Sequence, residues 1–138
     1  MINELNLLKE WQERLGLQDW AITLKINCKQ EDLSNPEWQG ENNWVSSIKC
    51  STIKIVSPEV HGDDRVLKFD FEKTLVHELL HLKFSLLDIT DRTYESVVVD
   101  DLRHQLIDDL ARALVMAKRG ETKRKLNCNK LKDMSLED

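Results

Sequence analysis

The stretch Asp70-Phe71-Glu72-Lys73-Thr74-Leu75-Val76-His77-Glu78-Leu79-Leu80-His81-Leu82-Lys83 decides how the rest of this 138-residue chain is read. Asp70 is a good N-cap and Glu72 stands near the positive end of the helix dipole, so a helix is predicted from about Phe71 to Leu87. Phe71, Leu75, Leu79, Leu82 and Leu86 recur at steps of three and four, which turns one face towards a core. At 3.6 residues per turn, His77 and His81 stand one above the other on a neighbouring face. Two imidazoles at that spacing can be aimed at one metal ion, and zinc suits them. Glu78 is rotated roughly 100° from His77 and about 60° from His81, so it borders the ligand face without sharing it. Zinc lowers the pKa of a water it binds from about 16 towards 7, and a carboxylate beside that water is a general base. The same group can pass the proton to a departing amine.

Upstream of this helix the pattern is that of a helix and a small sheet. Leu5, Leu8, Trp11 and Leu15 mark an amphipathic helix, with Gly16 as its stop. In Ala21 to Asn27, Ile22, Leu24 and Ile26 alternate with Thr23 and Lys25, which predicts a strand with one buried face. Residues 28–43 are polar and contain Pro36 and Gly40, the signature of an irregular loop into which Trp38 folds inward. Two β segments, Trp44 to Ile48 and Thr52 to Val56, form an antiparallel hairpin by the simplest reading. Ser57-Pro58 ends it, and His61 falls in a Gly-Asp-Asp loop, where a plain loop role is expected.

Downstream, Asp88 to Arg92 is a connection and a last helix is predicted from about Thr93 to Lys118. Val98, Leu102, Leu106, Leu110, Ala113, Leu114 and Ala117 are its expected buried stripe, with Asp100, Asp101, Asp108 and Asp109 on an exposed flank. Lys118, Arg119 and Gly120 supply a basic last turn and a stop. The fold class is therefore α+β, a small, mainly antiparallel sheet packed on the motif helix, with an N-terminal helix and a long C-terminal one. Residues 1–120 make one domain, and 121–138, without an apolar period, a basic and flexible tail.

Composition narrows the functional classes. Hydrophobic residues make up 41% and charged residues 33%, a globular balance. No apolar run approaches the roughly 20 residues of a spanning helix, so no membrane partner is expected. A net charge of -5 argues against a nucleic-acid partner, which needs clustered Lys and Arg. Met1-Ile2-Asn3-Glu4-Leu5 has no basic stretch leading into an apolar one, so a cytoplasmic location is expected. Cys28, Cys50 and Cys128 lack any Cys-x-x-Cys spacing and are expected as free thiols, with a Cys28 to Cys50 bridge as the alternative.

The third metal ligand is assigned to Glu95. At 100° per residue it lies within about 60° of Val98, Val99, Leu102 and Leu106, which puts its carboxylate on the expected buried stripe, where it needs a partner. His104, nine residues on, is about 180° round and is expected to face solvent. Asp88 and Asp91, in the connection, are lesser alternatives. Tyr94 is a candidate donor to a developing oxyanion, though a packing role is the plainer expectation.

With these residues in place, the chain resembles the compact zincins called minimal gluzincins and the ImmA/IrrE group of small metallopeptidases of phages and mobile elements. The resemblance rests on Leu15-Gly16-Leu17-Gln18-Asp19-Trp20-Ala21-Ile22, on Thr74-Leu75-Val76-His77-Glu78-Leu79-Leu80-His81-Leu82 and on Tyr94-Glu95-Ser96-Val97-Val98, and spans most of residues 15–115. It implies a twisted sheet over the motif helix, two histidine ligands, a glutamate base and a third ligand from the next helix. It also implies protein or peptide substrates laid along a sheet edge. The expected function is a zinc metallopeptidase. The competing class is a non-catalytic module that keeps Zn2+ as a clamp and holds a phage or host regulatory protein, and it differs in having no use for Glu78.

Overall fold

The computed structural model describes residues 3–60, 69–85 and 94–120, with residues 94–97 described by backbone alone. His61, Asp88, Asp91, Cys128 and the 121–138 segment lie outside the described residues. Helix α1 (Glu4–Leu15) leads into strand β1 (Ala21–Cys28), then β2 (Gly40–Val45), β3 (Cys50–Val56), helix α2 (Phe71–Lys83) and helix α3 (Tyr94–Lys118). No helix among the described residues is long and apolar enough to cross a membrane.

Local chemistry sets the ends of the elements. The Asn3 side chain accepts from the N–H groups of Leu5 and Asn6 and opens α1. Gly16, at φ 67°, closes it in the left-handed conformation that glycine adopts without Cβ strain, as its position predicts. Asp70 caps α2 by accepting from the Lys73 N–H at 3.2 Å. The helix is four residues shorter than its apolar spacing suggests. The Phe84 N–H reaches both Leu80 O and Leu82 O, and the Ser85 hydroxyl donates to Leu82 O at 2.7 Å, tightening the last turn.

The sheet is mixed, in the order β1-β3-β2. The hairpin is present, but its first strand begins at Gly40, inside the stretch expected as a loop. A short 3-10 turn (Ser46–Ile48) replaces the strand end expected there and is closed by Lys49 at φ 51°. β1 pairs with β3 in parallel, so the mainly antiparallel expectation holds for one of the two pairings. A parallel pair needs a crossover, and the polar stretch after Cys28 supplies it. Cys50 begins β3 and Cys28 ends β1, opposite ends of a parallel pair, and both are free thiols rather than a bridge. Ile22 and Leu24 are half-buried, whereas Ile26 is exposed because the register slips between Lys25 and Cys28, where Asn27 has a positive φ.

The core gathers around α2. Leu75, Val76 and Leu79 are fully buried against Ile53 and Ile55 of β3, Leu8 and Trp11 of α1, and Ile107, Ala111 and Val115 of α3. These last three correct the expected stripe. Val98, Leu102 and Leu106 are 45%, 58% and 50% exposed, and Ala113 and Ala117 are exposed too. At 100° per residue the buried triplet lies roughly 160° round the helix from the larger side chains. α3 therefore turns its smaller apolar face, Ile-Ala-Val, to α2, and small residues allow the helices to approach closely.

Charged side chains fasten the far end of α3 to the start of α2. Arg119 forks onto Asp70 at 2.7 and 3.0 Å, and Lys118 pairs with Glu72, which also accepts from Trp11 Nε1 at 2.8 Å. Arg119, expected in the basic last turn of the final helix, is thus tied to the start of α2. Burial works against the charge on Glu72, but the hydrogen bonds from Lys118 and Trp11 and the field of Arg119 outweigh it and hold the carboxyl below its ordinary 4.5. A carboxylate depressed in the folded state adds stability above its unfolded pKa and loses it as pH falls through the folded value. Lys118→Ala is expected to lose about 1–3 kcal/mol near neutral pH. Thermal unfolding from pH 7 to 3 checks this: the gap from wild type should be full at neutral pH and shrink below about pH 4. A gap constant down to pH 3 would show that Glu72 is not the partner.

Candidate metal centre

α2 carries His77, Glu78 and His81 as the sequence predicts, and α3 adds a third imidazole. One ligand nitrogen from each of His77, His81 and His104 lies within 4.8 Å of the others. The ring centroids of His81 and His104 are 4.8 Å apart, and those of His77 and His81 5.1 Å. Three imidazoles on a tetrahedral zinc hold their nitrogens about 3.4 Å apart, so side-chain adjustments of roughly an ångström would close the set. His104 is the residue expected in solvent. It does stand about 180° from the Val98-Leu102-Leu106 stripe, but that stripe is the exposed face, so the opposite face carries His104 to α2. Its side chain keeps 51% exposure, at the mouth of the site.

Glu95 stands nine residues before His104 on the same helix, half a turn round and about 13 Å along it. Its side chain, like that of Tyr94, lies outside the described residues.

Asp108 is the residue that sequence reasoning misplaced most. Expected on an exposed flank, it sits at the site, one turn after His104, with Oδ1 3.3 Å from His77 Nδ1. An ionised carboxylate only accepts, so Nδ1 carries the proton and Nε2 keeps its lone pair for a metal. Lys73 at 2.7 Å and Arg112 at 3.1 Å complete the surroundings of Asp108. Burial opposes its charge, yet the Lys73 hydrogen bond and the neighbouring positive groups keep its carboxyl below the usual range. The legible signal was the four-residue spacing from His104 to Asp108, which puts both on one face.

Both motif imidazoles are held neutral, the form that binds a metal. Burial, then the neighbouring imidazoles, pushes His81 down to about 3. Burial also lowers His77, against the pull of Asp108. Trp44 of β2 stacks on His81 at 5.9 Å and 24°, fixing that ring from the sheet side.

Glu78 is buried, and burial followed by the charge of Glu41 raises its pKa to about 8. A cation beside it would favour the ionised form and reverse that shift. β2 fixes its position. Asn42 Nδ2 donates to the Glu78 backbone carbonyl at 2.7 Å, and the Ser51 hydroxyl holds the Asn42 side-chain oxygen at 2.5 Å. Gly40 passes so close that a Cβ there would lie 2.9 Å from Thr74 Cγ2 and 3.1 Å from Glu78 Oε1. The closeness of β2 to α2 at this point depends on glycine.

Two adjoining hollows open on Glu78. One, of about 400 Å³, lies between Lys73, His77, His104 and Asp108 on the helices and Trp38 and Gly40. The other, of about 200 Å³, follows β2 past Asn42 and Trp44 to His81. Trp38, expected to fold inward, is 46% exposed and borders both.

Comparison of the chain with family models, with curated proteins and with solved structures gives no match. The reading of the site therefore stands on its geometry.

The two candidate third ligands are separated by metal titration. His104→Ala is expected to weaken binding of a divalent transition metal by orders of magnitude, and Asp108→Ala by about 10–100-fold through a loosened His77. Glu95→Ala should change it little. Competition titration of Co2+ on purified variants measures all three, and loss of binding in Glu95→Ala with retention in His104→Ala would restore Glu95 as the ligand.

Proposed function

We propose that this chain is a zinc-dependent metallopeptidase with a zincin-like arrangement, in which His77, His81 and His104 hold the metal and Glu78 is the general base. The observation that carries this reading is the convergence of three imidazoles from two helices beside a buried carboxyl that opens onto a hollow. The donor set fits zinc, which takes nitrogen ligands in threes at catalytic sites and leaves one position open. Bound there, zinc supplies a Lewis acid that polarises a carbonyl and makes water acidic near neutral pH.

The remaining work falls to the chain's own groups. Glu78, one residue after a ligand and held by Asn42 and Gly40, takes a proton from the attacking water and returns it to the leaving amine. Asp108 keeps the His77 ring in one tautomer, and Trp44 limits the rotation of His81. Among the described residues β2 is an edge strand, paired with β3 on one side, and its length follows the smaller hollow. An extended peptide can add to such an edge by backbone hydrogen bonds, its scissile bond then passing over Glu78. A metal clamp that only holds a partner has no need of a buried carboxyl at its mouth, so Glu78 favours hydrolysis over the binding-module alternative.

Glu78→Gln is expected to keep stoichiometric zinc and the wild-type fold while losing hydrolysis by at least about 10²-fold, since the base is removed and the imidazoles are not. Elemental analysis alongside cleavage of an unfolded protein substrate tests it. Equal activity in Glu78→Gln and wild type would end the general-base role.

A further inference from the structure

We infer that the smaller hollow is a subsite for one cationic side chain of the substrate, a lysine or arginine held by Trp38, Trp44 and Glu41. The inference rests on the metallopeptidase reading for the peptide that delivers this side chain, but the three residues are neither metal ligands nor the base. Glu41, on β2, is only 7% exposed and borders the hollow. It accepts from the Ser34 N–H at 3.4 Å, and among the described residues no cationic side chain is paired with it. Lys54 stands opposite it in the β2–β3 register, but the Lys54 ammonium donates to the Asp32 carbonyl at 3.1 Å. A carboxylate withdrawn from water without a counter-charge is costly, and a ligand that brings the cation relieves that cost.

The rest of the lining agrees with that charge. Trp44, which stacks on His81, and Trp38, 46% exposed, border the same hollow. Indole attracts an ammonium or guanidinium through its π electrons, and it also packs against the methylene stem that carries the charge. A carboxylate beside two indoles therefore suits a long, positively charged side chain and opposes aspartate or glutamate. At about 200 Å³ the hollow falls below the roughly 300–1,000 Å³ of sites that enclose a whole small molecule, so it takes a single side chain. It runs along β2 between Glu78 and His81, which places that side chain on a residue next to the bond to be cut. The larger hollow offers no equivalent, because Asp108 there already meets Lys73 and Arg112.

Heteronuclear NMR of the full chain with one equivalent of zinc tests the subsite independently of hydrolysis. Nα-acetyl-lysine methylamide should shift the indole N–H signals of Trp38 and Trp44 saturably. The neutral Nα-acetyl-norleucine methylamide, and glycine methylamide, whose cation is a free α-amine, should each bind at least about tenfold more weakly. Glu41→Gln keeps the shape and removes the charge, so it should abolish the preference for lysine over norleucine while zinc stays stoichiometric. Trp38→Ala, at an exposed position, should weaken the lysine probe severalfold. In an unfolded protein substrate, cuts should fall beside Lys or Arg in wild type and lose that preference in Glu41→Gln. Equal binding of the lysine and norleucine probes, tighter binding of the glycine probe, a lysine preference that survives Glu41→Gln, or cuts indifferent to Lys and Arg overturns the inference. A lysine preference that depends on Glu41, in a chain that cuts no protein, sustains the subsite and refutes the metallopeptidase reading instead.

Discussion

The rotational setting of α3 governs this molecule, and the burial of Ile107, Ala111 and Val115 against α2 fixes it. Those three residues are exposed by 0, 0 and 2%, and any rotation that uncovers them also uncovers Leu75, Val76 and Leu79. His104 lies within about 20° of the centre of that buried face, and Asp108 within about 60°. The apolar contact thus delivers one imidazole and one carboxylate to α2 without any polar group having to pull them there. The fork of Arg119 onto Asp70 and the Lys118–Glu72 pair hold the same setting at the other end of the helix.

The two faces of α2 are specified with different force. Its apolar face is enclosed by the sheet, α1 and α3, so its residues are set by packing. Its polar face lines the two hollows, and the positions of Glu78, His77 and His81 there come from neighbours: Gly40 and Asn42 for the first, Asp108 for the second, Trp44 for the third. Each of these supports sits on β2 or α3, so the site is assembled only when both elements are in place. Precision at a binding site generally comes from such outer supports.

How far the sequence could be read follows from where the signal was local. The caps at Asn3, Gly16 and Asp70, the periodicity of α1 and α2, and the ligand spacing of His77 and His81 are encoded within a few residues, and they stand in the structure. The phase of α3 is a different kind of information. Its sequence carries two apolar stripes, one rich in Leu and Val and one of Ile107, Ala111 and Val115. Hydrophobicity alone favours the larger stripe, while close helix packing favours the smaller. Favouring the larger stripe places His104 and Asp108 in solvent in a single step. The parallel pairing of β1 with β3 was hidden for a related reason, since strand alternation says which face is buried but nothing about strand order. β2 was partly missed because Gly40-Glu41-Asn42-Asn43 is polar. Their backbone pairs with β3 while side chains among them serve the site, with Glu41 buried close to Glu78 and Asn42 bound to its backbone.

The stacking of Trp44 on His81 gives the chain an optical probe at its own centre. Of its four tryptophans, Trp11 and Trp20 are buried in the core, and Trp44 has its indole stacked against His81 of the site. Indole emission responds to nearby positive charge, so whatever places charge on that imidazole, a proton or a cation, is transmitted to the ring above it. Occupancy of the site is thereby coupled to fluorescence through a contact already in the fold.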